Sequence, residues 1–161
     1  MVARYVTLAV FLLLVALAAV FAGSFEAGKW YFAMNKPEWT PPAWVFGPVW
    51  AAIYVLMAVS MWQVWESGHR SRPGLLAWWL LQLGLTVAWS WLFFGLNRSG
   101  WSLLDLTLLL GVVSLCIKAF SAASRSAALL MAPYLAWLVF AWLFNFSIWM
   151  LNGGGISRWF G

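Results

Sequence analysis

Long apolar runs separated by short polar or proline-bearing segments organise this chain, and five of them are long enough to cross a bilayer as helices. The pattern predicts span 1 over Tyr5–Ser24, span 2 over Val45–Trp65, span 3 over Leu75–Leu96, span 4 over Trp101–Phe120 and span 5 over Ala127–Leu151. Three connections are short: Glu66–Gly74, Asn97–Gly100, and a Ser/Ala-rich link reaching Ser126. Short links imply antiparallel neighbours, so the expected fold class is all-α, an integral membrane bundle of five transmembrane helices in a single domain over residues 1–161.

The exception is the stretch from Phe25 to Trp44. It carries Lys36-Pro37 and Pro41-Pro42, which remove backbone donors and hold the chain extended, among Trp30, Tyr31, Trp39 and Trp44. A long, aromatic, proline-stiffened loop predicts a lid or cap. Pro48 fits the first turn of span 2, and Pro133 is expected to kink or thin the first turns of span 5. Arg4 and Ala16-Leu17-Ala18 resemble a secretory signal, but the run continues through Ala22, so a retained first helix is expected. The glycine-rich tail after Asn152 is expected to be mobile.

Composition supports this reading. The chain is 65% hydrophobic and 8% charged, with a mean hydropathy of +0.89, which is not a soluble composition. The net charge of +5 rests on nine basic residues, most near span ends, where they suit topology and lipid headgroups. Five of them fall on the N-terminal side and four on the other, which leaves orientation undecided. No basic run points to nucleic acid. The lone Cys116 excludes an intrachain disulfide and reads as a small buried hydrophobe, and with the lone His69 it makes neither a metal site nor a nucleophilic pair.

The fifteen tryptophans say more. Trp62, Trp65, Trp78, Trp79, Trp149 and Trp159 lie near span ends and are expected to anchor at the interface. Others fall on helical stripes. In span 5, Tyr134, Trp137, Ala141, Asn145, Ile148 and Asn152 share one face; in span 3, Gln82, Thr86, Trp89 and Phe93; in span 2, Phe46, Trp50, Tyr54 or Ile53, Met57 and Met61. Polar groups on such stripes should face protein or a cavity, because lipid offers them no partner. The three stripes are expected to converge on an aromatic pocket, the alternative being plain helix packing with polar residues as glue. Asp105 is expected to meet Arg98 or to cap the start of span 4. Gly84-x-x-x-Ala88 fits a close helix contact and weakly suggests a dimer.

The stretch WYFAMNKPEWTPPAWVFGPVWAAIYVLMAVS (30–60), with QLGLTVAWSWLFFG (82–95) and PYLAWLVFAWLFNFSIWMLN (133–152), closely resembles the TspO/MBR family. That family comprises the bacterial tryptophan-rich sensory proteins and the mitochondrial translocator protein, or peripheral benzodiazepine receptor. The Lys-Pro-x-Trp-x-Pro-Pro block, Lys36 to Pro42, is its most specific mark. The resemblance implies a receptor or sensor, often dimeric, that binds protoporphyrin IX or haem and accepts isoquinoline or benzodiazepine ligands. Porphyrin is then a ligand and no cofactor is required; the other partners are membrane lipid and a second copy, with no nucleic acid. Carried over by motif position, the ligand-binding residues are Tyr31, Trp39, Trp50, Thr86, Trp89, Trp137, Ala141 and Asn145, to which the span 3 stripe adds Phe93.

Some bacterial members are reported to break down protoporphyrin in light, a reaction tied to positions matching Trp50 and Trp137, which would make these two catalytic. An enzyme of this kind and a porphyrin or sterol transporter are the competing readings. The expected location is a bacterial cell membrane, crossed several times. Thr86 stands where asparagine is usual, and Ser90-Trp91 where a proline is common, which changes the expected kink. Phe146 and Met150 break the sterol-recognition pattern.

Overall fold

The computed structural model describes residues 2–25 and 28–154; Trp159, Arg158 and most of the glycine-rich tail lie outside them. The described residues form α1 (Val2–Gly23), α2 (Lys29–Ala33), α3 (Ala43–Glu66), α4 (Arg72–Ser90), a π-helical turn (Trp91–Gly95), α5 (Ser99–Ala123), α6 (Arg125–Leu130) and α7 (Ala132–Leu151). Five helical stretches are long and apolar enough to span a membrane, the third being α4 with its π turn and the fifth α6 with α7. Helices are the form this composition permits, because hydrocarbon gives an open backbone no hydrogen-bond partner. Among the described residues there is no strand.

Differences from the sequence expectation are local. Span 5 breaks at Met131, one residue before α7 begins, and Pro133 then occupies the first turn, where its missing N–H costs nothing. Helix α5 begins at Ser99, two residues earlier than expected. Asp105 therefore lies in its second turn and does not cap it; its Oδ2 is buried without a partner. A single turn, α2, interrupts the extended loop.

The bundle closes through a few directed bonds laid over apolar packing. Helix α1 packs on α3 and α4, α4 on α5, and α5 on α6 and α7. At the end away from the long loop, Ser60 Oγ donates to Ala127 O (2.8 Å) and Ser126 Oγ to Gln63 Oε1 (2.6 Å), drawing α3 against α6. Arg4 lies over the Trp62 ring (4.8 Å), and its carbonyl accepts from Trp62 Nε1 (3.1 Å). That agrees with an interfacial role for Trp62, but Trp79 departs from its expectation. Its ring is fully buried and its N–H donates to Met57 O (3.1 Å), whereas neighbouring Trp78 is 42% exposed. Successive residues on a helix point about 100° apart, so a tandem pair sends one ring outward and the other into the core. Met57, Met61, Phe11 and Val15 pack in the same core cluster as Trp79.

Candidate functional site

Towards the long loop, α3 and α7 meet chiefly through rings. Phe46 and Trp50 stand 5.8 and 6.5 Å from Trp137, measured between ring centroids. Between them lies a cavity of about 150 Å³, lined by Tyr31, Ala43, Phe46, Trp50, Trp89, Phe93, Phe94, Trp137, Ala141, Phe144 and Asn145. The three predicted stripes do converge here, but only over part of their length. Tyr31, Trp50, Trp89, Phe93, Trp137, Ala141 and Asn145 come together on the wall as expected.

Two expected site residues stand apart from it. Trp39 is 49% exposed; it packs edge-on against Phe140 and Phe144 (both 5.8 Å) and faces an outer groove with Lys36, Glu38 and Met150. Thr86 lies in the packed interior, where its hydroxyl donates to Gln82 O (2.8 Å) and accepts from Tyr134 Oη (2.6 Å). The hydroxyl that replaces the usual amide therefore ties α4 to α7. Phe94 and Phe144 join the wall unforeseen. Phe144 sits three residues after Ala141, a spacing that could have found it; Phe94 is inward only because of the π turn.

That turn lies at Ser90-Trp91, where the lack of a proline was expected to change the kink. The helix runs unbroken through Ser90 and then widens, Leu96 N–H bonding Trp91 O five residues back (2.8 Å). Phe93 and Phe94, adjacent in sequence, both face the cavity as a result, their centroids 4.9 Å apart. Gly95 ends the turn under close packing: a Cβ there would meet Phe25 Cδ1 and Trp91 Cδ1 at 3.0 Å.

Trp50 is the hub of the aromatic wall. Its ring lies 5.8 Å from Tyr54, 6.0 Å from Trp89 in a stacked arrangement, and 6.3 Å from Tyr134. The polar atoms divide sharply. With its amide turned so that both ends are satisfied, Asn145 Nδ2 donates to Ser99 O (3.1 Å) while Oδ1 accepts from Leu103 N–H (3.2 Å) and Ser102 Oγ (2.8 Å). Asn145 is thus committed to the start of α5. By contrast, Trp89 Nε1 and Trp137 Nε1 are buried and have no acceptor. A buried polar group left unpaired costs about 1–3 kcal/mol, and both of these donors belong to residues of the cavity wall.

The loop closes the top. Trp30 and Tyr31 set their edges against Phe93 (5.7 and 6.3 Å), and Tyr31 also touches Phe94 (5.7 Å). Lys36 Nζ sits 4.7 Å above the Tyr31 ring and donates to Met34 O (3.3 Å). Burial pushes the Tyr31 phenol above its ordinary pKa, keeping it neutral. The far end is pinned by Asn152, whose Oδ1 accepts from Asn35 N–H (3.0 Å) and whose Nδ2 donates to Asn35 O (2.9 Å). The cap anticipated from the prolines is present, and it is latched.

Five apolar spans around an aromatic cavity under a loop define a multi-pass membrane protein with an internal aromatic site. The sequence model of the TspO/MBR family matches residues 8–150, and the chain belongs to that family. It is 40% identical over 144 residues to the Tryptophan-rich protein TspO of Archaeoglobus fulgidus, covering 87% of this chain and 94% of the relative. It is 39% identical over 132 residues to the Translocator protein of Homo sapiens (80% and 78% covered). To Protein CrtK of Rhodobacter capsulatus it is 35% identical over 149 residues (91% and 92%). These names support a membrane sensor or translocator role at the level of the family.

Proposed function

We propose that this protein is a membrane receptor for tetrapyrroles such as protoporphyrin IX and haem, and that its aromatic cavity also accepts isoquinoline- and benzodiazepine-type ligands. The observation that carries the reading is a wall made mostly of aromatic rings, two of which, Trp89 and Trp137, keep buried Nε1 donors without an acceptor. Flat conjugated ligands stack on such faces, and their carboxylate or carbonyl oxygens supply the missing acceptors. Base–aromatic stacking, the nearest measured analogue, contributes about 1–3 kcal/mol per ring. Removing one ring should therefore weaken binding about 5- to 150-fold. Titration of protoporphyrin IX by tryptophan fluorescence quenching tests this: Trp50→Ala and Trp137→Ala should each weaken binding with helical content unchanged. Unaltered titrations in both variants would reject the pocket.

A second reading is light-dependent porphyrin breakdown, favoured by the hub position of Trp50 within 6.5 Å of four other indole and phenol rings. An indole beside an excited porphyrin can give up an electron, and neighbouring rings can share the hole. Illuminated wild type should then lose the porphyrin Soret band faster than a Trp50→Phe/Trp137→Phe double variant. Equal bleaching would make the chemistry incidental. The receptor reading places the protein in a bacterial cell membrane as a homodimer. Gly84, outward-facing on α4 with open space where a Cβ would lie, supports a close helix contact there.

A further inference from the structure

A second compartment of about 370 Å³ adjoins the cavity and shares Phe46, Trp50, Trp89 and Phe94 with it as a common wall. Its outer side is built from small residues: Ala19, Ala22 and Gly23 of α1 face Gly47 and Ala51 of α3. Gly23, Gly47 and Ala51 are exposed, and Ala51 lies eight residues into a spanning helix, about 12 Å below its start. An exposed residue at that depth meets acyl chains, so the compartment opens sideways into the bilayer. Among the described residues no charged side chain lines it; its hydroxyls are those of Tyr54 and Ser90.

The inner cavity alone falls below the roughly 300–1,000 Å³ of small-molecule sites, so a large flat ligand must extend through the shared wall into this side compartment. We propose that the cleft between α1 and α3 is the bilayer-facing half of the same site, that ligand loads through it, and that it admits tetrapyrroles carrying a long alkyl ester on the edge that faces it. The inference rests on the tetrapyrrole reading above. A free carboxylate in this cleft would be desolvated with no cation beside it among the described residues, whereas an ester is uncharged and its chain can lie among the acyl chains outside. The small residues at the mouth are the feature that leaves room for the chain to pass.

Gly47 offers a direct test, because a Cβ added there meets nothing within 4 Å. A side chain therefore starts from open space there: Gly47→Leu adds bulk at the mouth, and Gly47→Ala, whose Cβ touches nothing, is the control. Protoporphyrin IX and its monohexadecyl ester are titrated at equal mole fraction in phosphatidylcholine nanodiscs, following tryptophan quenching and subtracting protein-free discs. Wild type should bind the ester within about threefold of the free acid. Gly47→Leu should weaken the ester at least tenfold more than the acid, and Gly47→Ala should leave the ratio unchanged. Binding of the acid with rejection of the ester by wild type would overturn the proposal and leave the receptor reading standing, as would equal weakening of both by Gly47→Leu. Failure of both ligands to bind wild type would remove the receptor reading, and this one with it.

Discussion

Replacing Asn152 by alanine should unlatch the loop. The side chain uses both amide hydrogens, donating to Asn35 O at 2.9 Å and to Ile148 O at 2.7 Å, and its oxygen accepts from Asn35 N–H at 3.0 Å. Alanine removes both links between loop and helix. A typical internal hydrogen bond contributes about 0.5–1.5 kcal/mol net. Asn35 is exposed, so water competes and the lower half of that range applies to each bond. The closed loop should lose about 1–2 kcal/mol, which lowers its closed-to-open ratio by about 5- to 30-fold. The ring contacts of Trp30, Tyr31 and Trp39 remain, so the loop should loosen without unfolding the bundle. Amide hydrogen exchange reads this directly: residues 29–40 should exchange faster by that factor while the interior of α5 stays protected. Unchanged exchange at Asn35 and its neighbours would mean that the latch contributes nothing to closure.

Three further outcomes follow from the same structure. Tyr134→Phe removes the hydroxyl that donates to Thr86 Oγ1 in a fully buried site, and should lower thermal stability by about 0.5–1.5 kcal/mol without changing the helix content; an unchanged melting temperature contradicts this. The raised pKa of Tyr31 means that the closed loop favours the neutral phenol, so this residue's contribution is complete below its ordinary pKa of about 10 and declines above it. Exchange of the loop should therefore be flat from pH 6 to 9 once intrinsic rates are removed, and Tyr31→Phe should blunt the rise at higher pH. Gly84→Leu should weaken self-association measured by energy transfer between labelled copies in vesicles, and an unaffected signal would place the contact between copies elsewhere.

The topology was largely legible because hydrocarbon permits so little besides helices, and apolar runs of this length have few alternatives. The upper turns of the three stripes were legible for a related reason: amides, hydroxyls and indoles must turn away from lipid. The lower turns were overread. Met57 and Met61 continue the span 2 stripe, but the helices close tightly below Trp50, and those side chains fill core instead of cavity. Trp79 illustrates the limit of position along a span, since its depth matches the interface while its azimuth points inward. The side compartment had no chemical signature, only Ala19, Ala22, Gly47 and Ala51, and absent side chains leave no pattern to read. The latch was half visible: Asn152 falls on the span 5 stripe, but its partner is the backbone of Asn35, which residue identity does not mark.

A tetrapyrrole seated in the aromatic cavity should draw the buried, acceptor-free indole N–H groups of Trp89 and Trp137 into hydrogen bonds. The most direct measurement is an indole ¹⁵N–¹H spectrum of the protein in nanodiscs, with those two signals assigned by Trp→Phe substitution, recorded as protoporphyrin IX is added. Both signals should move downfield and saturate together at one bound porphyrin. Porphyrin that binds while both indole signals stay where they were would contradict it.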